Sequence, residues 1–284
     1  MSDASRDPEN YCYRHPDRQS FVLCQRCGRT ICGECQTPAA VGFHCPECMR
    51  EARQSAPRTR PRVVTALRST STAPVVTWSI IALCVVVFIV QYLTGGPNSG
   101  AATRALVYFP PITEFEPWRM LTALFLHGSF LHILFNMYSL LIFGPILERS
   151  LGRWRFLALY LLSGLGGSVA VLLMAPTSAV LGASGAIFGL LGAFFVIQRK
   201  LGGNSLQLVI VIGLNLVIGF VIPNIAWQAH IGGLVVGGIV AFVFLRTRAA
   251  AKRNEQRLLL LGVLVGLVVL TVVGVLLLHA RFGA

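Results

Sequence analysis

Three polar positions in a chain dominated by apolar runs have the residue types that acyl transfer requires. Ser184 stands in LGASGAIFG (181–189), His230 in AWQAHIGGLVVGG (226–238), and His132 and Asn136 in HGSFLHILFNM (127–137). A histidine in reach of a serine hydroxyl acts as general base and turns it into a nucleophile. His132 and Asn136 are four residues apart, so they project from one helix face. Both can donate hydrogen bonds to the oxyanion formed when a carbonyl is attacked, with the Ser184 amide as a further donor. No intramembrane Asp is evident to complete a triad, and a Ser–His dyad is what the residues offer. Each position also has a plainer reading. Ser184 would serve as a helix cap, His230 as an interhelical hydrogen-bonding residue and Asn136 as packing glue. Chemistry is favoured because all three open from the same side of the membrane.

The elements that must position these side chains are membrane helices. Of the 284 residues, 55% are hydrophobic and only 12% charged, a composition suited to a polytopic membrane protein. Apolar runs long enough to cross about 30 Å of hydrocarbon fall at roughly 75–94, 121–143, 155–174, 180–198, 206–222, 226–245 and 258–279. A connection rich in Pro, Gly and aromatics separates the first two. Residues 1–20 carry no apolar run, so no signal peptide is expected. With the N-terminus inside, 21 Lys and Arg collect on that side and only Arg104, Arg119 and Arg281 on the other. This places the N-terminus in the cytoplasm and the C-terminus outside. The net charge of +13 then calls for no nucleic acid; the arginines between Arg50 and Arg68 suit the anionic headgroups of the lipid bilayer instead.

Ser184 lies eight residues beyond Pro176 and His230 seven beyond Pro223. At helical rise these are roughly 12 Å and 10 Å of descent, so the two side chains share a depth. Gly185 with Gly189, and Gly233 with Gly237, form small-residue ridges that let two helix backbones approach closely.

The first 74 residues differ in kind, holding seven of the eight cysteines. Four ligand pairs at two-residue spacing, Cys12/His15, Cys24/Cys27, Cys32/Cys35 and Cys45/Cys48, supply eight ligands, enough for two tetrahedral structural Zn2+ sites. In a cytoplasmic segment these thiols stay reduced, which disfavours a disulfide framework. So short a segment builds little hydrophobic core, and metal binding would supply its folding energy. Closed four-ligand sites leave no open position for catalysis, so the head is a docking or regulatory module for a cytoplasmic protein partner. The expected domains are a zinc-binding head at 1–50, a basic linker at 51–74, a six-helix core at 75–245, and a seventh helix with the C-terminus at 246–284.

The head resembles a B-box-type or ribbon-like zinc finger, in which the first and third pairs share one metal and the second and fourth the other. Over about residues 75–245 the chain resembles the rhomboid family of intramembrane serine proteases. The matching pieces are Trp118-Arg119, HGSFLHILFNM, GASGAIFG and AHIGGLVVGG. The resemblance implies an all-α membrane protein, a polytopic helical bundle with six-plus-one transmembrane helices, carrying the zinc-binding domain as an addition. It also implies Ser184 as nucleophile, His230 as its base, His132 and Asn136 lining an oxyanion pocket, and no cofactor for catalysis. His127 would be structural or water-retaining. Gly182, Gly185, Gly233 and Gly237 would be packing positions, and Glu148-Arg149 a structural element. The implied substrates are transmembrane proteins of the cell membrane, cut in or beside a helix that must first unwind. A non-catalytic adaptor or dislocation factor is the main alternative. A transporter suffers from the lack of acidic intramembrane residues and paired repeats.

Overall fold

Lipid offers backbone N–H and C=O groups no partners, so each apolar run satisfies them internally as a helix. The computed structural model describes residues 8–39, 41–55, 73–221 and 225–283. Pro223 and the linker stretch 56–72 lie outside the described residues. The chain divides into two units, residues 1–60 and 61–284.

In the first unit, β1 (Tyr11–Cys12) pairs antiparallel with β2 (His15–Gln19), and β3 (Thr37–Pro38) with β4 (Phe43–His44). A helix, α1 (Pro46–Ser55), follows and runs past residue 50. The buried cluster of this unit consists of six cysteines and Ile31. That is too little hydrocarbon to hold a fold by burial alone.

The second unit is a helical membrane bundle. Its long helices are α2 (Val75–Leu93), α5 (Phe130–Leu151), α6 (Arg153–Met174), α7 (Ser184–Lys200), α8 (Leu206–Val221), α9 (Trp227–Arg246) and α10 (Arg253–Phe282). Five of the described helices are long and apolar enough to cross a membrane; α7 and α8 are shorter, at 17 and 16 residues. The connection after α2 is ordered, with short helices α3 (Ala101–Leu106) and α4 (Arg119–Thr122). In it Arg119 pairs with Glu116 and donates to the carbonyls of Arg104 and Val107.

Two expected spans begin later than their apolar runs. The run from 121 does not form one helix: α4 passes into a tight turn at Ala123–Phe125, and α5 begins only after Ser129. The Ser129 hydroxyl accepts from the His132 amide at 3.2 Å, a helix N-cap. Residues 121–128 are apolar because Ala123, Leu124 and Leu126 are buried in protein, not because they span lipid. Likewise α7 starts at Ser184 itself, after a non-helical stretch from Ala175 to Ala183. A depth estimate by helical rise from Pro176 therefore does not apply, since residues 175–183 are not helical.

Packing among α6, α7 and α9 rests on glycine. A methyl group built on Gly233 would fall 1.9 Å from the Gly185 carbonyl oxygen, and one on Gly237 would fall 2.1 Å from that of Gly189. The two ridges legible in the sequence thus meet each other, backbone against backbone. Helix α6 joins them: a methyl on Gly232 would fall 2.3 Å from the Gly166 carbonyl oxygen, and one on Gly189 would strike Ser163. At the far end of α5, the buried Glu148 carboxylate accepts from the amides of Val76 (2.9 Å) and Thr77 (2.7 Å) and from the Thr77 hydroxyl (2.7 Å). It thereby caps the start of α2, whose first N–H groups have no partner within the helix.

Candidate active site

The three helices that carry the polar positions all begin at one place. His132 is the third residue of α5, Ser184 the first of α7 and His230 the fourth of α9. The Ser184 hydroxyl lies 3.0 Å from His230 Nε2, a hydrogen bond between helices held together by the glycine contacts that begin at Gly185 and Gly233. His230 is 6% exposed, and its ring lies flat on Phe188, centroids 4.1 Å apart and planes within 5°. Among the described residues its Nδ1 has no hydrogen-bond partner, so no carboxylate completes a triad.

His132 comes against the loop residue Gly182, two residues before Ser184. Gly182 lies between them at φ +127°, and a methyl built there would stand 2.7 Å from His132 Nε2 and 3.9 Å from the Ser184 hydroxyl. Both the backbone conformation and the space require glycine. Gly182 lies in the loop before α7, and the close contact it permits is with the His132 ring. The Gly128 amide donates to His132 Nδ1 at 3.3 Å. An N–H can only donate, so Nδ1 accepts and the ring proton resides on Nε2, the nitrogen on the Gly182 side of the ring. Asn136 is buried and its amide donates to the His132 carbonyl one turn back, at 3.0 Å. At the start of α7 the amides of Ser184 and its next neighbours have no acceptor within the helix.

His127 is fully buried, its ring edge-on to His132 at 5.2 Å and to Phe88 at 6.5 Å. The strand-like contact of Tyr108 with Val180, two backbone hydrogen bonds of 3.2 and 2.8 Å, ties the first long connection to the segment entering α7. Phe188 stands four residues from Ser184 on the same helix face, but that spacing alone does not set it apart from core.

In the first unit the eight metal-ligand candidates form two groups, Cys12/His15/Cys32/Cys35 and Cys24/Cys27/Cys45/Cys48, with the ligand atoms of each within 4.8 Å of one another. The His15 Nδ1 lies 3.8, 3.3 and 3.5 Å from the sulfurs of Cys12, Cys32 and Cys35, and the sulfurs of Cys27 and Cys45 are 3.7 Å apart. Metal–sulfur bonds of about 2.3 Å and metal–nitrogen bonds of about 2.0 Å at tetrahedral angles give ligand separations of roughly 3.5–3.8 Å. Both groups therefore fit a metal ion. Cys27 is the exposed member; Arg29 donates to its sulfur at 3.3 Å and holds that thiol below its ordinary range.

Residues 114–247 match the Rhomboid domain family. The chain is 36% identical over 208 residues to rhomboid protease GluP of Bacillus subtilis (strain 168), covering 68% of this chain and 40% of that protein. It is 40% identical over 155 residues to RHOMBOID-like protein 5 of Arabidopsis thaliana, covering 51% and 48%. This chain thus spans less than half the length of these two relatives. Against the putative rhomboid protease YdcA of Bacillus subtilis (strain 168) it is 34% identical over 152 residues, 51% of this chain and 73% of that protein. With most of one relative matched at that identity, and the glycine-packed helix starts inside the matched region, the chain belongs to the rhomboid family.

Proposed function

We propose that this multi-pass membrane protein is an intramembrane serine protease working through a Ser184–His230 dyad. The observation that carries the reading is the 3.0 Å approach of the Ser184 hydroxyl to His230 Nε2. His230 Nε2 takes the hydroxyl proton as Ser184 Oγ attacks the scissile carbonyl carbon. The resulting oxyanion receives hydrogen bonds from His132 Nε2–H, the Ser184 amide and Asn136, which turns from its helix carbonyl to do so. His230 then gives its proton to the leaving amine, and the C–N bond breaks. A water molecule, deprotonated by His230, hydrolyses the acyl-serine and returns the hydroxyl. Phe188 keeps the imidazole in plane through the cycle.

The substrates are membrane proteins with a transmembrane helix. A helical peptide bond has its carbonyl hydrogen bonded and shielded, so Gly, Pro or polar residues near the cut lower the cost of unwinding. In the head, Cys12, His15, Cys32 and Cys35 would hold one Zn2+ and Cys24, Cys27, Cys45 and Cys48 a second. Each ion would act as a structural cross-link with no open coordination position. The charge distribution supports a cytoplasmic N-terminus and an external C-terminus in the cell membrane, with the head offered to a cytoplasmic protein partner. Parallel labelling of the parent and Ser184→Ala proteins with a fluorophosphonate tests the dyad. Labelling of the parent alone is expected, and a parent that neither labels nor cleaves any membrane substrate returns the chain to a non-catalytic, helix-binding role.

A further inference from the structure

Gln91 sits in the last turn of α2, fully buried, and both polar atoms of its side-chain amide are hydrogen bonded. Its Nε2 donates to the Pro97 carbonyl at 3.1 Å and to the Thr103 hydroxyl at 2.9 Å; its Oε1 accepts from the His127 amide at 3.0 Å. The Pro97 carbonyl can only accept and the His127 N–H can only donate, so the amide has one orientation. The next amide along, that of Gly128, is the donor to His132 Nδ1. We propose that Gln91 is a positioning residue for the reaction, pinning the His127–Gly128 turn so that the Gly128 N–H holds His132 in its Nε2–H form. In the other tautomer His132 would aim a lone pair, not a proton, at the developing oxyanion.

This inference rests on the reading of His132 as an oxyanion donor, and the test separates the two. The full-length parent, Gln91→Met and, as a stability control, Thr247→Val are prepared in detergent. Thr247 is buried at the opposite end of α9, where its hydroxyl accepts from Gln256, away from the His127 turn. Long-range proton–nitrogen spectra report which ring nitrogen of His132 is protonated, assigned against His132→Ala, and fluorophosphonate labelling is followed over a range of probe concentrations. In Gln91→Met the single Nε2–H signal should give way to a tautomer mixture. The maximal labelling rate should fall about tenfold, short of the loss of a whole oxyanion donor, with the half-saturating probe concentration unchanged. Thr247→Val should change neither. An unchanged tautomer, an unchanged maximal rate, or the same loss in Thr247→Val overturns the inference. A tautomer shift in a protein whose parent never labels upholds the Gln91–His132 link and removes the protease reading.

Discussion

Phe188 lies one turn beyond Ser184 on α7 and stacks face to face on His230 of α9, so the helix that supplies the hydroxyl also clamps the ring that accepts its proton. Two χ angles hold an imidazole; a flat aromatic partner at 4.1 Å removes most of the freedom that remains. Phe188→Leu should therefore leave the fold and substrate KM near their parent values. It should lower kcat about tenfold through loss of alignment, measured with any cleaved membrane substrate.

At Gly233 and Gly237 the contact between α7 and α9 leaves no room for a side chain. Gly237→Val would force its Cβ against the Gly189 carbonyl oxygen. Thermal unfolding in detergent should show a loss of about 3 kcal/mol, at the upper end for overpacking. The same change at Gly266 of α10, where a methyl meets nothing within 4 Å, should be neutral.

Glu148 bonds to three donors at the start of α2 while 2% exposed. Glu148→Gln keeps the shape but substitutes a neutral acceptor and adds an N–H with no acceptor to meet. A loss of about 2 kcal/mol is expected, the scale of a hydrogen bond to a charged group, read as a lowered unfolding midpoint with labelling at Ser184 retained in the folded fraction.

Removal of metal should separate the two units functionally. The parent should carry two zinc ions per chain, and Cys24→Ser should lose one of them. Chelation should abolish the structure of residues 8–55 while Ser184 stays reactive in detergent. Loss of labelling on chelation would instead couple the head to the membrane site.

Arg29 also sets a pH dependence. Its hydrogen bond depresses the Cys27 thiol, so the stabilisation is present above the ordinary cysteine pKa and is lost as pH falls through the depressed value. Arg29→Met removes it, protons compete sooner, and zinc release on acid titration should begin at a higher pH than in the parent.

Much of this arrangement was legible because the informative residues are rare in their surroundings. A serine, two histidines and an asparagine inside apolar runs stand out, and the glycine spacing points to the helices that meet. The ligand rhythm of the head exposed its eight metal candidates; spacing left their pairing open, and the grouping in the structure is the one the zinc-finger resemblance implied, first pair with third and second with fourth. Other features were invisible for physical reasons. Phe188 reads as ordinary core, and Gln91 as a polar residue at a span edge; only tertiary contact gives either a task. The apolar stretch 121–128 looks like lipid-facing helix although Ala123, Leu124 and Leu126 are buried, Leu124 against Gly164 of α6. Only the capping serine at 129 marks where α5 begins.

The meeting of three helix starts at one point has an electrical consequence. The backbone dipoles of α5, α7 and α9 all present their positive ends to the place where Ser184 and His230 meet. Part of the field that would receive a developing negative charge is thus built from peptide groups, beside His132 and Asn136, and peptide groups need no charged side chain carried into the hydrocarbon at the steep cost such a burial incurs. Peptide dipoles carry no titratable proton, so this share of the field does not vary with the acidity of the medium.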